Sequence, residues 1–284
     1  MTKEINKSNT VLYYYWGNNQ TLLVPFLKKM GYGKIVVRFH GFDLYKDRLG
    51  GYQPFRRPLL EALSIAAPIS EFGLRYLKQE YSDIKFNARV LRLGVKGTGK
   101  SPRSQNGCVN IVSCSRIIRL KRIELIPRIL KQLPFRIKWT HIGDGEFINL
   151  VYEEIKELPQ NMKFELTGWM SADEVPEYYR NNAVDLFISL SESEGIPVSI
   201  MEALAAGIPV FSTDVGGIRE IVNDEVGCLI DPNLTVEEMV ELLAGFIKRY
   251  FETPELFRNR AHQRFEQMCD QEVCNRNLLQ ELLS

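Results

Sequence analysis

Short apolar runs rich in β-branched and aromatic residues alternate along this chain with segments whose apolar positions recur at helical spacing. Residues 10–16 and 34–39 suit strands, and between them Leu22, Leu23, Phe26 and Leu27 mark a helix over residues 20–29. Residues 59–63 read as helix, 65–69 as a short strand, 71–80 as helix and 88–93 as a strand. The alternation then starts afresh. Strands are expected at residues 109–113, 137–142, 163–167 and 184–190, with helices at 120–132 and 147–156. Residues 171–174 (Ser-Ala-Asp-Glu) form a capping box that opens a helix to about residue 181. A short helix enters at Pro197 and ends at Gly207, and Pro209 can only begin the strand over residues 209–212, because proline donates no ladder hydrogen bond. A further helix is expected from about residue 218. A second capping box at residues 235–238 leads a helix with Val236, Met239, Val240, Leu243, Phe246 and Ile247 on one face, and residues from 254 onward read as helix.

Strands alternating with helices imply parallel sheets covered by helices. The expected architecture is α/β, with two Rossmann-like doubly wound lobes. Residues 1–94 make a first lobe, 95–107 a linker rich in Gly, Ser and Pro, 108–265 a second lobe, and 266–284 a C-terminal helix that can pack back on the first lobe. A complete lobe of this kind takes about 150 residues, so the first is expected to be cut short at its beginning.

Composition narrows this little. Thirty-six Lys and Arg against 35 Asp and Glu leave a net charge of +1, which gives no reason to expect nucleic acid. The five cysteines, Cys108, Cys114, Cys228, Cys269 and Cys274, are odd in number and include no C-x-x-C pair, so they read as reduced thiols. No run approaches the roughly 18 apolar residues of a membrane span. The expectation is a cytoplasmic protein, at most peripheral to the inner face of a membrane.

The chemistry concentrates in residues 191–213. The helix after Pro197 carries Val198, Ile200, Met201, Ala203, Leu204, Ala205 and Ala206, which leaves it almost no polar face, yet Glu202 lies within it. A carboxylate there costs several kcal/mol unless donors or a cation satisfy it. Glu194 lies in the loop feeding the same helix, where backbone N–H groups and the dipole favour an anion. Two carboxylates thus flank a natural phosphate site at the carboxyl end of a strand, where open α/β sheets bind ligands.

The spacing of Glu194 and Glu202, with Gly195, Ala203, Ala205, Gly207, Pro209 and Val210, resembles the signature of the large retaining glycosyltransferase family with the two-lobed GT-B fold. Ser115-Arg116 and Lys121 resemble the Gly-Arg and Lys-Gly pair after the first strand of that family's nucleotide-sugar lobe. The Ile-Gly-Asp-Gly run at 142–145 and Gly168-Trp169-Met170 fall in the family's order. The runs 38–45, 69–71 and 92–95 look like members that build bacterial exopolysaccharide, capsule or lipopolysaccharide. By this resemblance Arg116 and Lys121 hold the diphosphate of a nucleotide sugar, and Glu202 takes the ribose hydroxyls. Glu194 sits by the transferred sugar, and backbone groups of Gly195, Ile196, Val198 and Ser199 contact sugar or phosphate. Trp169 and Met170 line the base pocket, while His40 approaches the sugar from the other lobe, so that Glu194 and His40 are the catalytic candidates. The resemblance also implies that residues 1–94 are an acceptor-side lobe and 108–265 the nucleotide-sugar-binding lobe, with retention of configuration, no metal and no cofactor beyond the nucleotide sugar, and a saccharide or lipid-linked acceptor.

The departures carry weight. Ser115 and Arg122 stand where glycines are usual, and Pro197 stands where many members carry glycine. The family's glycine-rich loop after the first strand has no counterpart, which leaves open a fragment, a partner chain supplying the missing N-terminal part, or a non-catalytic nucleotide-sugar-binding module. Simpler readings also stand. Glu202 could be a solvated helix carboxylate, Glu194 a loop residue near a dipole, and His40 structural. Residues 116–138 hold eight Lys or Arg and one acid, Glu124, a pattern that suits a solvated face and could also touch anionic lipid. His141 and His262 read as structural, residues 13–16 (Tyr-Tyr-Tyr-Trp) as core, and 143–145 as a turn.

Overall fold

The computed structural model describes residues 6–51, 53–97, 99–104 and 107–284. Residues 98, 105 and 106 of the expected linker lie outside this set, as do residues 1–5 and 52 of the expected first lobe. The chain forms two compact units, one of residues 1–93 with 272–284 and the other of residues 94–271.

In the first unit, strands β1 (Val11–Tyr14), β2 (Lys34–Phe39) and β3 (Ile65–Pro68) form a parallel sheet in that order. Helices α1 (Val24–Lys29), α2 (Gly41–Leu44), α3 (Arg56–Ala62) and α4 (Glu71–Glu80) connect or follow them. The two-residue period of β2 sends Ile35, Val37 and Phe39 into one core with Leu44, Leu60 and Leu77, and Val36 to the opposite face. There Val36, Ile65, Ala67 and Leu91 meet Leu278 and Leu282 of α11 (Gln271–Leu283). Both faces of the sheet are therefore covered, as parallel sheets require.

The second unit holds a six-stranded parallel sheet. Its strands are β4 (Val109–Cys114), β5 (Ile137–Ile142), β6 (Met162–Gly168), β7 (Leu186–Ser189), β8 (Val210–Thr213) and β9 (Gly227–Ile230), in the order β6-β5-β4-β7-β8-β9. This is a doubly wound order that reverses between β4 and β7, so the loops leaving those two strands flank a ligand crevice. Helices α5 (Leu125–Leu130), α6 (Ile148–Ile155), α7 (Glu174–Asn181), α8 (Val198–Ala205), α9 (Val236–Glu252) and α10 (Pro254–Met268) complete the unit. Trp139, Leu186, Ile188, Phe211 and Leu243 anchor its main core.

Several expectations need correction. Residues 88–93 do not become a strand; Arg89 and Leu91 donate to Ala66 and Pro68 at 3.1 and 3.0 Å, and only Ala88 forms a bridge. The helix expected over residues 120–132 breaks into a 3-10 turn, Arg119–Lys121, and α5, because Arg122 between them adopts a left-handed backbone at φ 49°. From residue 218 there is only a 3-10 turn, Ile218–Glu220. Strand β9 was not foreseen, since four residues opening on glycine give little periodic signal. Residues from 254 form two helices, parted where Asp270 bridges to Val95. The run 13–16 is not all core: Tyr15 and Trp16 are 43% and 42% exposed.

Candidate functional site

Pairing of β4 with β7, Ile111 opposite Leu186 and Val112 opposite Phe187, brings together the loops that follow the two strands. Two contacts then clip them. The Glu192 N–H donates to the Leu120 carbonyl at 2.9 Å, and Arg122 Nε donates to the Leu190 carbonyl at 2.6 Å. Between these anchors the Lys121 ammonium donates to Glu194 Oε1. Both side chains are largely buried, 20% and 10% exposed, so their attraction is screened less than that of a surface pair. Arg122, at a position where the resemblance calls for glycine, takes the glycine-like conformation and also donates through Nη1 to the Pro232 carbonyl at 2.9 Å.

The loop after β8 supports Glu194 from behind. Gly217 N–H donates to the Gly195 carbonyl at 2.7 Å. Gly216, at φ +60°, lies so close that an added Cβ would stand 1.9 Å from the Glu194 carbonyl oxygen. Neither glycine was singled out in the sequence, although a Gly-Gly pair in the loop leaving a strand, here with two residues between it and the end of β8, is a signal of close backbone approach. The run 143–145 is likewise more than a turn: a Cβ on Gly143 would stand 1.9 Å from the Ser115 carbonyl oxygen, and the Ile117 N–H donates to the Asp144 carbonyl at 2.9 Å. Ser115 itself fits without a left-handed backbone.

Helix α8 begins after Pro197, which offers no side-chain cap. Its first N–H groups, from Val198 onward, therefore face the Glu194–Pro197 turn without a capping acceptor. Gly195 and Ser199 are half-buried, Ile196 is buried, and Val198 is 43% exposed. Glu202 is half-buried rather than enclosed. Burial raises its carboxyl from 4.5 to about 7, and among the described residues no hydrogen bond or cation offsets it. It lines a cleft of about 650 Å³ with Val198, Ala172, Asp173, Glu177 and Arg180. Burial, with the Glu202 carboxylate adding to it, pushes the Cys114 thiol up to about 12, so Cys114 stays an inert thiol at neutral pH.

Arg116 is exposed, Trp169 is 73% exposed and Met170 is half-buried. His40 lies in the first unit at the end of β2. It is 6% exposed, with its ring 4.1 Å from that of Trp16 and Nε2 donating to the Tyr15 carbonyl at 2.9 Å. Burial lowers its pKa from 6.5 to about 4, so it is neutral at physiological pH. His141 is fully buried with Nδ1 2.8 Å from the Ser113 hydroxyl, and His262 donates to the Ala205 carbonyl; both are structural. Among the described residues no three His, Cys, Asp or Glu gather as a metal cluster, and no helix is long and apolar enough to cross a membrane.

A family model described as glycosyl transferases group 1 matches residues 101–264. The chain is 30% identical over 260 residues to the putative colanic acid biosynthesis glycosyltransferase WcaL of Escherichia coli K12, covering 87% of this chain and 63% of that protein. It is 31% identical over 233 residues to the putative teichuronic acid biosynthesis glycosyltransferase TuaC of Bacillus subtilis, covering 76% and 54%. The chain thus spans less than two thirds of these relatives. Among solved structures, Anabaena HepE in complex with UDP matches with a TM-score of 0.73 at 20% identity, over 96% of this chain and 78% of that one. The two share the fold.

Proposed function

Because the chain belongs to the glycosyl transferases group 1 family, we propose that it transfers a sugar from a nucleotide-sugar donor to a saccharide or lipid-linked acceptor in the assembly of a cell-surface polysaccharide. The carrying observation is the pairing of Lys121 with Glu194 at the mouth of the β4/β7 crevice, together with a half-buried Glu202 that has no hydrogen bond or ion pair among the described residues. Arg116 and Lys121 take the diphosphate and neutralise the charge that grows on it as the glycosidic bond breaks. Glu194 meets the hydroxyls of the transferred sugar. Glu202 accepts from the ribose hydroxyls, which supply the donors its half-buried carboxylate lacks. The N–H groups at the start of α8 face the donor, and Trp169 and Met170 border the base. The polysaccharide-building relatives and the UDP-bound HepE support this reading.

We assign retention of configuration and a metal-independent site on the E-x7-E spacing of Glu194 and Glu202, and His40 to the sugar from the first unit. A peripheral position at the inner face of the membrane follows from a lipid-linked acceptor. A second reading, a nucleotide-sugar-binding module that works with a further chain, is favoured by the small sheet of the first unit, three strands among the described residues. Nucleoside diphosphate release from UDP- and GDP-sugars, with and without acceptor saccharides, separates the two. Turnover supports the transferase. A ligand-dependent rise in melting temperature without turnover supports the module, and neither response defeats both.

A further inference from the structure

From residue 5 to residue 42 the chain carries no Asp or Glu, against the cations Lys7, Lys28, Lys29, Lys34 and Arg38. In a chain whose 36 basic and 35 acidic residues otherwise balance, that is a local excess of positive charge. The stretch builds β1, a 3-10 turn (Asn19–Leu23), α1 and β2. The turn and α1 run on as one helical segment with two apolar faces. Thr21, Val24 and Leu27, three residues apart, face inward: Thr21 and Val24 are buried, and Leu27 packs against the core of Ile35 and Leu60. The other face is Leu22, Leu23, Phe26 and Met30, spaced at helical intervals and 46%, 61%, 62% and 42% exposed. A surface helix ordinarily turns a polar face outward; this one does not.

Cations gather at one end of that face. The Lys28 ammonium donates to the Gly33 carbonyl at 3.1 Å, and the Gly33 N–H donates to the Lys7 carbonyl at 3.1 Å, so Gly33 draws Lys7 and Lys28 to the C-terminal end of α1, beside Lys29. All three lysines are exposed, and none forms an ion pair among the described residues. Helix α3, packed beside α1, exposes Arg57, which pairs with Asp83, and Glu61, so the face keeps a net positive charge. The basic run 116–138 does not compete for the same partner. Lys121 is paired with Glu194, Arg128 and Lys131 with Glu154, and Lys138 with Glu165, and among the described residues no large apolar side chain of that run is exposed. An apolar stripe ending in unpaired lysines fits the interface of an anionic bilayer, where apolar side chains enter the acyl boundary and ammonium groups stay at the phosphates. A second copy of the chain would offer the same positive face, with no acid on it to meet the lysines.

We propose that Leu22, Leu23, Phe26 and Met30 form a membrane-docking face that enters an anionic leaflet, with Lys7, Lys28 and Lys29 on the lipid phosphates. The docking does not rest on the transferase reading; it gives the peripheral position a named surface. The test is cosedimentation of the full chain with vesicles of equal parts phosphatidylglycerol and phosphatidylcholine, and with phosphatidylcholine alone. UDP affinity, oligomeric state and melting temperature are measured in parallel. Binding to the mixed vesicles is expected to be about tenfold tighter or more than to phosphatidylcholine. Leu23→Gln and Phe26→Gln should each weaken it about tenfold, and because both side chains are exposed, melting temperature and UDP affinity should hold. Lys28→Gln combined with Lys29→Gln should remove the preference for phosphatidylglycerol and the salt dependence that goes with it. No binding to the mixed vesicles, or binding that the combined Leu23→Gln and Phe26→Gln variant retains, overturns the proposal and spares the transferase. A dimer that Phe26→Gln converts to a monomer, without vesicle binding, overturns it in favour of a second copy on this face. Vesicle binding by a chain that does not bind UDP upholds the docking face and counts against the transferase.

Discussion

Lys121 reaches across the crevice to the carboxylate of Glu194, so without ligand the cation assigned to the diphosphate is neutralised by the carboxylate assigned to the sugar. Donor binding must share or break that pair. Lys121→Ala is therefore expected to weaken nucleotide-diphosphate binding about tenfold or more while leaving nucleoside affinity unchanged. It should also cost stability of about 1–3 kcal/mol, because Glu194 is left without its cation. Glu194→Gln frees the ammonium, so UDP affinity should hold or rise while turnover collapses. Isothermal titration with uridine, UDP and UDP-sugar checks both. Equal losses for uridine and UDP in Lys121→Ala would remove Lys121 from the diphosphate.

Glu202 makes the site pH-dependent in two opposite senses. Its folded pKa of about 7 exceeds its unfolded 4.5, so the folded protein holds a proton that the unfolded chain releases between those values. Stability is then highest below pH 4.5, falls as pH rises from there through 7, and levels off about 3 kcal/mol lower. Glu202→Gln should be more stable than the parent at pH 8 and equal to it at pH 4, as read by urea unfolding. Donor affinity should run the other way, because ribose hydroxyls donate to the ionised carboxylate, and should fall as pH drops below 7. A donor affinity flat from pH 6 to 8 would falsify the ribose assignment.

The contrast between Glu202 and Arg122 shows what the sequence could and could not convey. A carboxylate inside an apolar helix is a local contradiction visible in the string of residues, and it led to the crevice and to the loop at Glu194. The parallel sheets were legible for the same reason, since β2, β5 and α4 are written in periodicity and composition. Arg122 in a glycine's conformation, Gly216 behind Glu194 and the clip from Leu120 to Glu192 depend on neighbours far along the chain. No periodicity encodes those contacts. The same limit explains β9, too short to carry a pattern, and Tyr15 and Trp16, aromatic in composition but set past the end of β1 beside His40.

Arg122 combines strain with compensation. Its left-handed backbone costs a non-glycine residue about 1 kcal/mol, and its guanidinium bonds to the Leu190 and Pro232 carbonyls offset that. Arg122→Ala keeps the strain and loses the bonds, for an expected destabilisation of about 2–4 kcal/mol. Arg122→Gly loses the bonds but also the strain, and should be about 1 kcal/mol more stable than the alanine variant. Urea midpoints of the two variants decide this, and alanine equal to or above glycine would show that the left-handed backbone is not strained.

Gly216 tests whether the Glu194 loop must be held from behind. A methyl group there meets the Glu194 carbonyl oxygen at 1.9 Å, and the position's φ of +60° already disfavours alanine. Neither the β8 loop nor the Glu194 turn can yield freely, because Gly217 is bonded to Gly195 and the Thr213 hydroxyl donates to the Ser191 carbonyl at 2.6 Å. Gly216→Ala should therefore push Glu194 away from Lys121, costing about 2 kcal/mol or more in stability. A misplacement on the order of 1 Å at the site lowers turnover about 100-fold. Glu202 and the cleft beside α7 are not displaced directly, so uridine should still bind. Loss of turnover with uridine binding retained is the expected pattern; a Gly216→Ala variant that turns over like the parent would mean that the Glu194 loop needs no such support.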